Sequence, residues 1–455
     1  MSNVTKPPRA SSANTQLGWW PTKSERARFC QREILSDLKT GFKVEDIKVG
    51  VDKAGNPKVI NTVEFEPTPS KDGKAVVPVV LTHGYGSGVG LFFRNLDAIA
   101  QIPGVKLYAI DWLGMGNSSR NLFPCDLSEQ EKNKHSCVLS KEVTHSAQKE
   151  IAPPAPKEAA PHAPVKVEKK QASASTGKAE KAVVASSVTE AKIQIADSKG
   201  LSEEYFISAE DKEKVKVSEE FFLDAFDTWR KEKGLEKIIL IGHSLGGYLS
   251  TSYTIQNPDV VVKLINVSPV GIPRPKKNYM DNYPDNWKFR NGKWLWENST
   301  PQQLVRNLDW VGLGKYAISK IVHTRWKDIG LSQDRLTRLS NYMYAISVLP
   351  RSGEWSLNTI MQFGAWARSP LIDRILPKLS VPTAFIYGGK DWMDPKPVDV
   401  IKSSKRLKDI VTGPHIIPNG GHNMFLENPQ SFNKVITAEI TSALKASSGQ
   451  SSSTK

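Results

Sequence analysis

Hydrophobic and polar positions along this chain follow two alternating rhythms. Short apolar runs rich in β-branched residues predict strands over 76–82, 105–110, 237–241, 261–267, 383–387 and 414–417. Between most of them the apolar spacing lengthens to three or four residues, which predicts helices over 91–101, 217–232, 245–256 and 399–407, with a closing helix over 431–446. Strands alternating with helices in this way predict an α/β fold, a mostly parallel sheet flanked by helices on both faces. The rhythm breaks twice. Residues 275–370 interrupt the strand pattern and read as a mostly helical cap over the strand ends. Between Phe123 and Tyr205 there is no Phe, Tyr or Trp, and the stretch is rich in Ala, Lys, Glu, Ser and Pro. Such a segment cannot bury enough apolar surface to offset its ordering entropy, so 124–205 is predicted to be a disordered insertion. The organisation is therefore a tail (1–24), a core in three parts (25–123, 206–274, 371–446), the insertion, the cap, and a second tail (447–455).

One strand runs straight into chemistry. Ile238-Ile-Leu-Ile-Gly-His-Ser-Leu-Gly-Gly carries a G-x-S-x-G string between a strand and a helix, the context of a nucleophile elbow with Ser244 at its tip. A serine hydroxyl needs a base, and the base needs an orienting acid. His422, on the glycine-permitted loop Asn419-Gly-Gly-His-Asn after the last strand, is the candidate base. His243 is too close along the chain to swing onto its neighbour's hydroxyl. Asp391 ends the strand at Phe385-Ile-Tyr-Gly-Gly-Lys-Asp, with Asp394 as runner-up, and the chain order Ser, Asp, His suits this fold. The loop Leu81-Thr-His-Gly-Tyr-Gly-Ser-Gly places the backbone N–H of Tyr85 opposite that of Leu245, a candidate pair of oxyanion donors. This loop lacks the Lys-Ser/Thr ending of a phosphate-binding P-loop. Asp111, in Asp-Trp-Leu-Gly-Met-Gly-Asn-Ser-Ser, is expected to brace loops around the site.

Charge and composition narrow the partners. The 455 residues carry a net charge of +15. The excess peaks in the cap, which also holds seven of the twelve Trp. Interleaved Trp and basic residues there suit acyl chains and an anionic headgroup, with Arg274, Arg290 and Arg325 as headgroup candidates. The insertion's charges nearly cancel, and no nucleic-acid motif accompanies the basic balance. Cys30, Cys125 and Cys137 have no paired spacing, which argues against a disulfide framework or zinc site and for a reducing compartment. No metal or organic cofactor is called for. Residues 1–24 contain Lys6, Arg9 and Lys23 and no acid, a composition seen in organelle transit peptides. Trp19-Trp20 and the basic amphipathic stretch 23–39 read either as an interfacial anchor or as a helix packed on the core.

Taken in order, these pieces resemble the α/β-hydrolase superfamily. Leu17-Gly-Trp-Trp-Pro-Thr, His83-Gly-Tyr-Gly-Ser-Gly-Val-Gly-Leu, Asp111-Trp-Leu-Gly-Met-Gly-Asn-Ser-Ser-Arg, Ser268-Pro-Val-Gly-Ile-Pro and Gly421-His-Asn-Met-Phe-Leu-Glu-Asn-Pro resemble its lipid-acting subfamily. That subfamily includes the fungal mitochondrial cardiolipin-specific deacylase and the lipid-droplet lipase coactivator. The resemblance implies a serine hydrolase acting on fatty-acyl esters of anionic glycerophospholipids, cardiolipin among them. It also implies a membrane or lipid-droplet surface as partner, and a mitochondrial location on the inner face, with lipid droplet or cytosol as alternatives. In the subfamily a His followed five positions later by Asp is linked to lysophosphatidic acid acyltransferase activity. Here His422 keeps the spacing with Glu427, which leaves acyl transfer as an alternative. A lipid-surface adaptor with an idle triad is a third reading, but the coactivator member replaces the nucleophile whereas this chain keeps Ser244.

Overall fold

The computed structural model describes residues 22–70, 73, 76–124, 207–275, 283–284 and 286–449. The predicted insertion beyond Pro124, Trp19-Trp20 and nearly all of both tails fall outside them. Strands β1 (Phe42–Val51), β2 (Pro57–Phe65), β3 (Val77–Thr82), β4 (Val105–Ile110), β5 (Ile238–His243) and β6 (Val261–Val267) precede the cap. The short ribbon of β7 (Met361–Gln362) and β8 (Trp366–Ala367) belongs to the cap, and β9 (Thr383–Gly388) and β10 (Val411–Ile417) follow it. Among the described residues the main sheet runs β1-β2-β4-β3-β5-β6-β9-β10. From β4 to β10 all neighbours are parallel, as the strand-helix rhythm predicts. Their side chains alternate between two cores: Val79, Leu81, Ile239 and Ile241 enter one, and Val80, Ile238 and Leu240 the other. Burial on both faces is why these strands read as continuous apolar runs.

The antiparallel pair β1 and β2 was not among the predicted strands. β1 is covered on one face only, so Lys43, Glu45, Asp46 and Lys48 interrupt its apolar positions. The pair turns at Asp52, whose carboxylate accepts the N–H groups of Ala54 and Asn56, with Gly55 at φ 82°. Gly at positive φ carries no Cβ penalty.

Helices α1 (Lys23–Leu35), α2 (Leu96–Ala100), α3 (Ala209–Glu232) and α4 (Leu245–Gln256) flank the first strands. The predicted 91–101 helix is divided into a 3-10 turn, Val89–Phe92, and α2, because Asn95 leaves helical geometry and donates to the Phe425 carbonyl and to Asn433. α1 buries Ala27, Cys30, Ile34 and Leu35, so of its two readings the core-packed one is realised. Burial raises the Cys30 thiol to about 11, leaving it protonated at neutral pH.

The cap is helical as expected: α5 (Trp287–Asn298), α6 (Pro301–Trp310), α7 (Gly314–Trp326), α8 (Gln333–Ser347) and α9 (Ser356–Ile360). α8 drives Leu336, Leu339 and Tyr342 into the core and packs on α1 and α7. The remaining helices are α10 (Ile372–Lys378), α11 (Pro397–Ser403), α12 (Met424–Glu427) and α13 (Pro429–Gly449). The chain leaves β3 for β4 on one side and later enters β5 on the other. A crevice outside the carboxyl ends of the strands forms at such a switch in order.

Candidate active site

Ser244 sits between β5 and α4 with φ 55° and ψ −117°, a backbone region costly for a side-chain-bearing residue. The turn is closed by two glycines that nothing larger replaces. A Cβ on Gly242 would lie 2.5 Å from the Gly246 carbonyl oxygen, and one on Gly246 would lie 2.4 Å from that of His83. The elbow thus lifts a nearly buried hydroxyl to the N-terminus of α4.

His422 reaches this hydroxyl from the loop after β10, its Nε2 3.0 Å from Ser244 Oγ. Its Nδ1 lies 3.1 Å from Asp391 Oδ1. Asp391 is fully buried and also accepts from the Met393 N–H and from the hydroxyl of Ser268. Burial alone would raise its carboxyl, but the bonds from His422, Ser268 and Met393 together hold it below the usual carboxylate range. An ionised acceptor at Nδ1 keeps the His422 proton there and leaves Nε2 free to accept from Ser244. Asp394 takes no part in this chain of bonds; its carboxylate accepts the Lys396 N–H at the start of α11.

Tyr85 and Leu245 face the same side. The loop carrying Tyr85 lies against the elbow, since a Cβ on Gly84 would be 2.8 Å from Ser244 Cβ. Neither N–H has an acceptor among the described residues, which leaves two donors aimed near the hydroxyl. His83 anchors this loop. Its Nε2 accepts the Trp112 N–H at 3.1 Å, so Nδ1 carries the proton and donates to the Gly84 carbonyl at 2.7 Å. Burial lowers its pKa, and it is neutral. Asp111 accepts the N–H groups of Val89 and Asn117 and the amide of Asn61, tying the loop after β3 to the loop after β4. That is the bracing role its position predicts. His243 is buried beside His422, and burial lowers its pKa to about 3; it bonds the His422 carbonyl, not Ser244.

Glu427 lies on the same loop system as His422, but its carboxylate accepts the Gly421 N–H and is not bonded to the imidazole. It holds the loop that presents His422. Arg274 pairs with Asp373 at 2.6 Å, while Arg290 on α5 and Arg325 on α7 are exposed on the cap. None of the three lines the pocket beside the 83–88 loop, which is walled by Arg120 and Arg306. The cap's Trp residues divide in the same way: Trp326 and Trp366 are buried, while Trp287, Trp294 and Trp310 face outward at 64%, 63% and 90% exposure.

Sequence reasoning gave no role to Ser268, whose hydroxyl supports Asp391 from the end of β6, or to Gln302, which accepts from the Tyr85 hydroxyl at 2.8 Å and docks α6 on the loop. Position at a strand's carboxyl end was the available signal for Ser268. Gln302 had none.

Comparison with known proteins decides the family. A model described as the alpha/beta hydrolase family matches residues 208–435, half of the chain, and one described as the alpha/beta hydrolase fold matches 77–301. The chain belongs to the α/β-hydrolase family. This hydrolase is 28% identical to a probable 1-acylglycerol-3-phosphate O-acyltransferase of Oryza sativa subsp. japonica, over 92% of the chain and 82% of that protein. It is likewise 28% identical to a 1-acylglycerol-3-phosphate O-acyltransferase of Arabidopsis thaliana, over 92% of the chain and 81% of that protein. It is 26% identical to a (lyso)-N-acylphosphatidylethanolamine lipase of Bos taurus, over 79% and 78%. The hydrolase therefore stands among lipid-acting relatives.

Proposed function

We propose that this protein hydrolyses fatty-acyl esters of anionic glycerophospholipids at a membrane or lipid-droplet surface, cardiolipin being favoured by resemblance. The observation that carries the reading is the unbroken chain of bonds from Ser244 through His422 to buried Asp391. In this mechanism His422 Nε2 takes the Ser244 proton as Oγ attacks the acyl carbonyl, and the Tyr85 and Leu245 N–H groups receive the developing oxyanion. The tetrahedral species collapses, His422 returns the proton to the departing lysolipid oxygen, and water then cleaves the acyl-Ser244 ester by the same base. Asp391 balances the imidazolium formed in each half.

The cap supports a lipid surface as partner. Trp287, Trp294, Trp310 and Tyr316 are exposed beside exposed Lys288, Arg290, Lys315 and Lys320. Exposed aromatics next to cations suit the interface of an anionic bilayer. No helix among the described residues is long and apolar enough to cross a membrane, so contact through the cap would be peripheral. The mitochondrial inner face is the compartment this reading carries, tested by fractionation of the tagged protein.

Lipid-class profiling of product release by wild type and Ser244→Ala tests the activity: fatty acid and lysolipid should appear only with wild type. Persisting deacylation in Ser244→Ala would sink the reading. The acyltransferase-named relatives favour a second reading, acyl transfer to a lysophospholipid hydroxyl by way of His422 and Glu427. It predicts phosphatidic acid from lysophosphatidic acid and acyl-CoA, retained in Ser244→Ala and lost in Glu427→Ala.

A further inference from the structure

We propose that the pocket beside the 83–88 loop seats a phosphate monoester on the substrate, with Arg120 as its anchor. The proposal rests on the reading above, and names the recognition element of the same site.

The pocket is walled by Gly86, Ser87, Gly114, Gly116, Arg120 and Arg306, with Gln302 and Glu354 at its edge, and its empty space is about 300 Å³ counting the solvent at its mouth. Two arginines and one carboxylate leave it a net positive charge. Their roles differ. Arg306 is saturated: its guanidinium donates to Gln303, to the Leu349 carbonyl and to Glu354 at 2.7 Å. Glu354 in turn accepts the Ser352 N–H, so this pair neutralises itself.

Arg120 is different. One of its nitrogens, Nη2, donates to the Gly116 carbonyl at 2.8 Å. The other, Nη1, is sealed from solvent with no acceptor among the described residues. No carboxylate among them forms an ion pair with this guanidinium, although Asp111 and Glu354 act on it from farther away. Burial lowers its pKa to about 10, so it remains charged at neutral pH. A buried cation without a direct counter-charge costs several kcal/mol relative to a paired one. Such a group on a pocket wall is what an incoming anion would relieve, and a tetrahedral phosphate offers several strong acceptors to a guanidinium.

The placement suits a glycerol-linked ester. Gly84 touches Ser244 and Gly86 lines the pocket, so at ~3.8 Å per residue the two positions lie about 8 Å apart along the chain. A three-carbon backbone joins an acyl carbonyl at Ser244 to a phosphate in the pocket over that order of distance. Gly88 and Gly116 keep the walls open, since a Cβ on either would collide with Asp111 at under 3.0 Å.

The test compares wild type, Arg120→Gln and Arg120→Lys. Hydrolysis of 1-acylglycerol 3-phosphate is measured against the matching uncharged monoacylglycerol, and glycerol 3-phosphate and inorganic phosphate are titrated calorimetrically into the same proteins. Selectivity, the ratio of kcat/KM for the phosphate-bearing over the neutral lipid, should fall by about 10- to 100-fold in Arg120→Gln, the value of a lost charge-assisted hydrogen bond. Arg120→Lys should recover part of it. Wild type should bind glycerol 3-phosphate and Arg120→Gln should not. Binding of glycerol 3-phosphate without inorganic phosphate assigns the site to the lipid headgroup; binding of both assigns it to phosphate in general, and either supports the anion site. Equal loss on both lipids would make Arg120 a structural residue and overturn the proposal, as would unchanged selectivity with unchanged binding. Should wild type cleave neither lipid, the hydrolase reading fails while calorimetry still decides the anion site.

Discussion

Replacing Asp391 with Asn removes one charge and scarcely changes volume, so it isolates the electrostatics of the site. In wild type the carboxylate meets His422 Nδ1 at 3.1 Å and is fully buried. Proton transfer from Ser244 creates an imidazolium whose charge centre lies about 4 Å from that of the carboxylate. At an effective dielectric of ~20 this attraction is worth roughly 4 kcal/mol, or about three decades of rate. An Asn amide can also turn its NH₂ toward Nδ1, forcing the proton onto Nε2 where it blocks acceptance from Ser244. The loss in kcat should thus reach about 10³- to 10⁴-fold, within the range known for neutralising a triad acid. The assay is release of p-nitrophenol from a short-chain ester, with melting temperature as the folding control. Asp394→Asn is the internal comparison, and it should stay within about twofold because its carboxylate only caps a loop. A folded Asp391→Asn protein retaining more than a tenth of wild-type activity would refute the assignment of the acid.

Acid stability tests a different part of the fold. Burial would raise the Glu439 carboxyl, but His415 and Lys263 overcome it and bring the folded value down to about 2. A depressed carboxyl contributes stability above its unfolded pKa that is lost as pH falls from about 4.5 toward 2, on the order of 3 kcal/mol in all. Urea unfolding of Glu439→Gln between pH 7 and 3 should show a flatter stability profile than wild type; parallel profiles would contradict the cause. For the cap, Trp310→Ser combined with Trp287→Ser should weaken sedimentation with phosphatidylglycerol vesicles by about tenfold while leaving p-nitrophenyl ester hydrolysis in place, because these side chains are exposed and touch neither Ser244 nor its loop. Unchanged sedimentation would remove the cap from the membrane contact.

Much of this protein is legible in the chain alone. Ser244, Asp391 and His422 were placed from local context: each follows a strand that is apolar on both faces, and strand ends are where a parallel sheet delivers side chains to one rim. The helical cap and its charge were likewise read from composition. Contacts between distant positions were not. Ser268 meets Asp391 across 123 residues, and the Gln302 contact with Tyr85 spans 217, with no spacing rule to connect them. The β1–β2 pair escaped because a strand covered on one face mixes charge into its pattern. Composition showed that the cap is rich in Trp and in arginine, but which Trp turn outward, and that Arg274 pairs with Asp373 while Arg120 keeps a sealed, unpartnered nitrogen, were decided by packing. Local propensity acts over a few residues, whereas burial and charge pairing are settled only when remote segments close around a side chain and set what surrounds it.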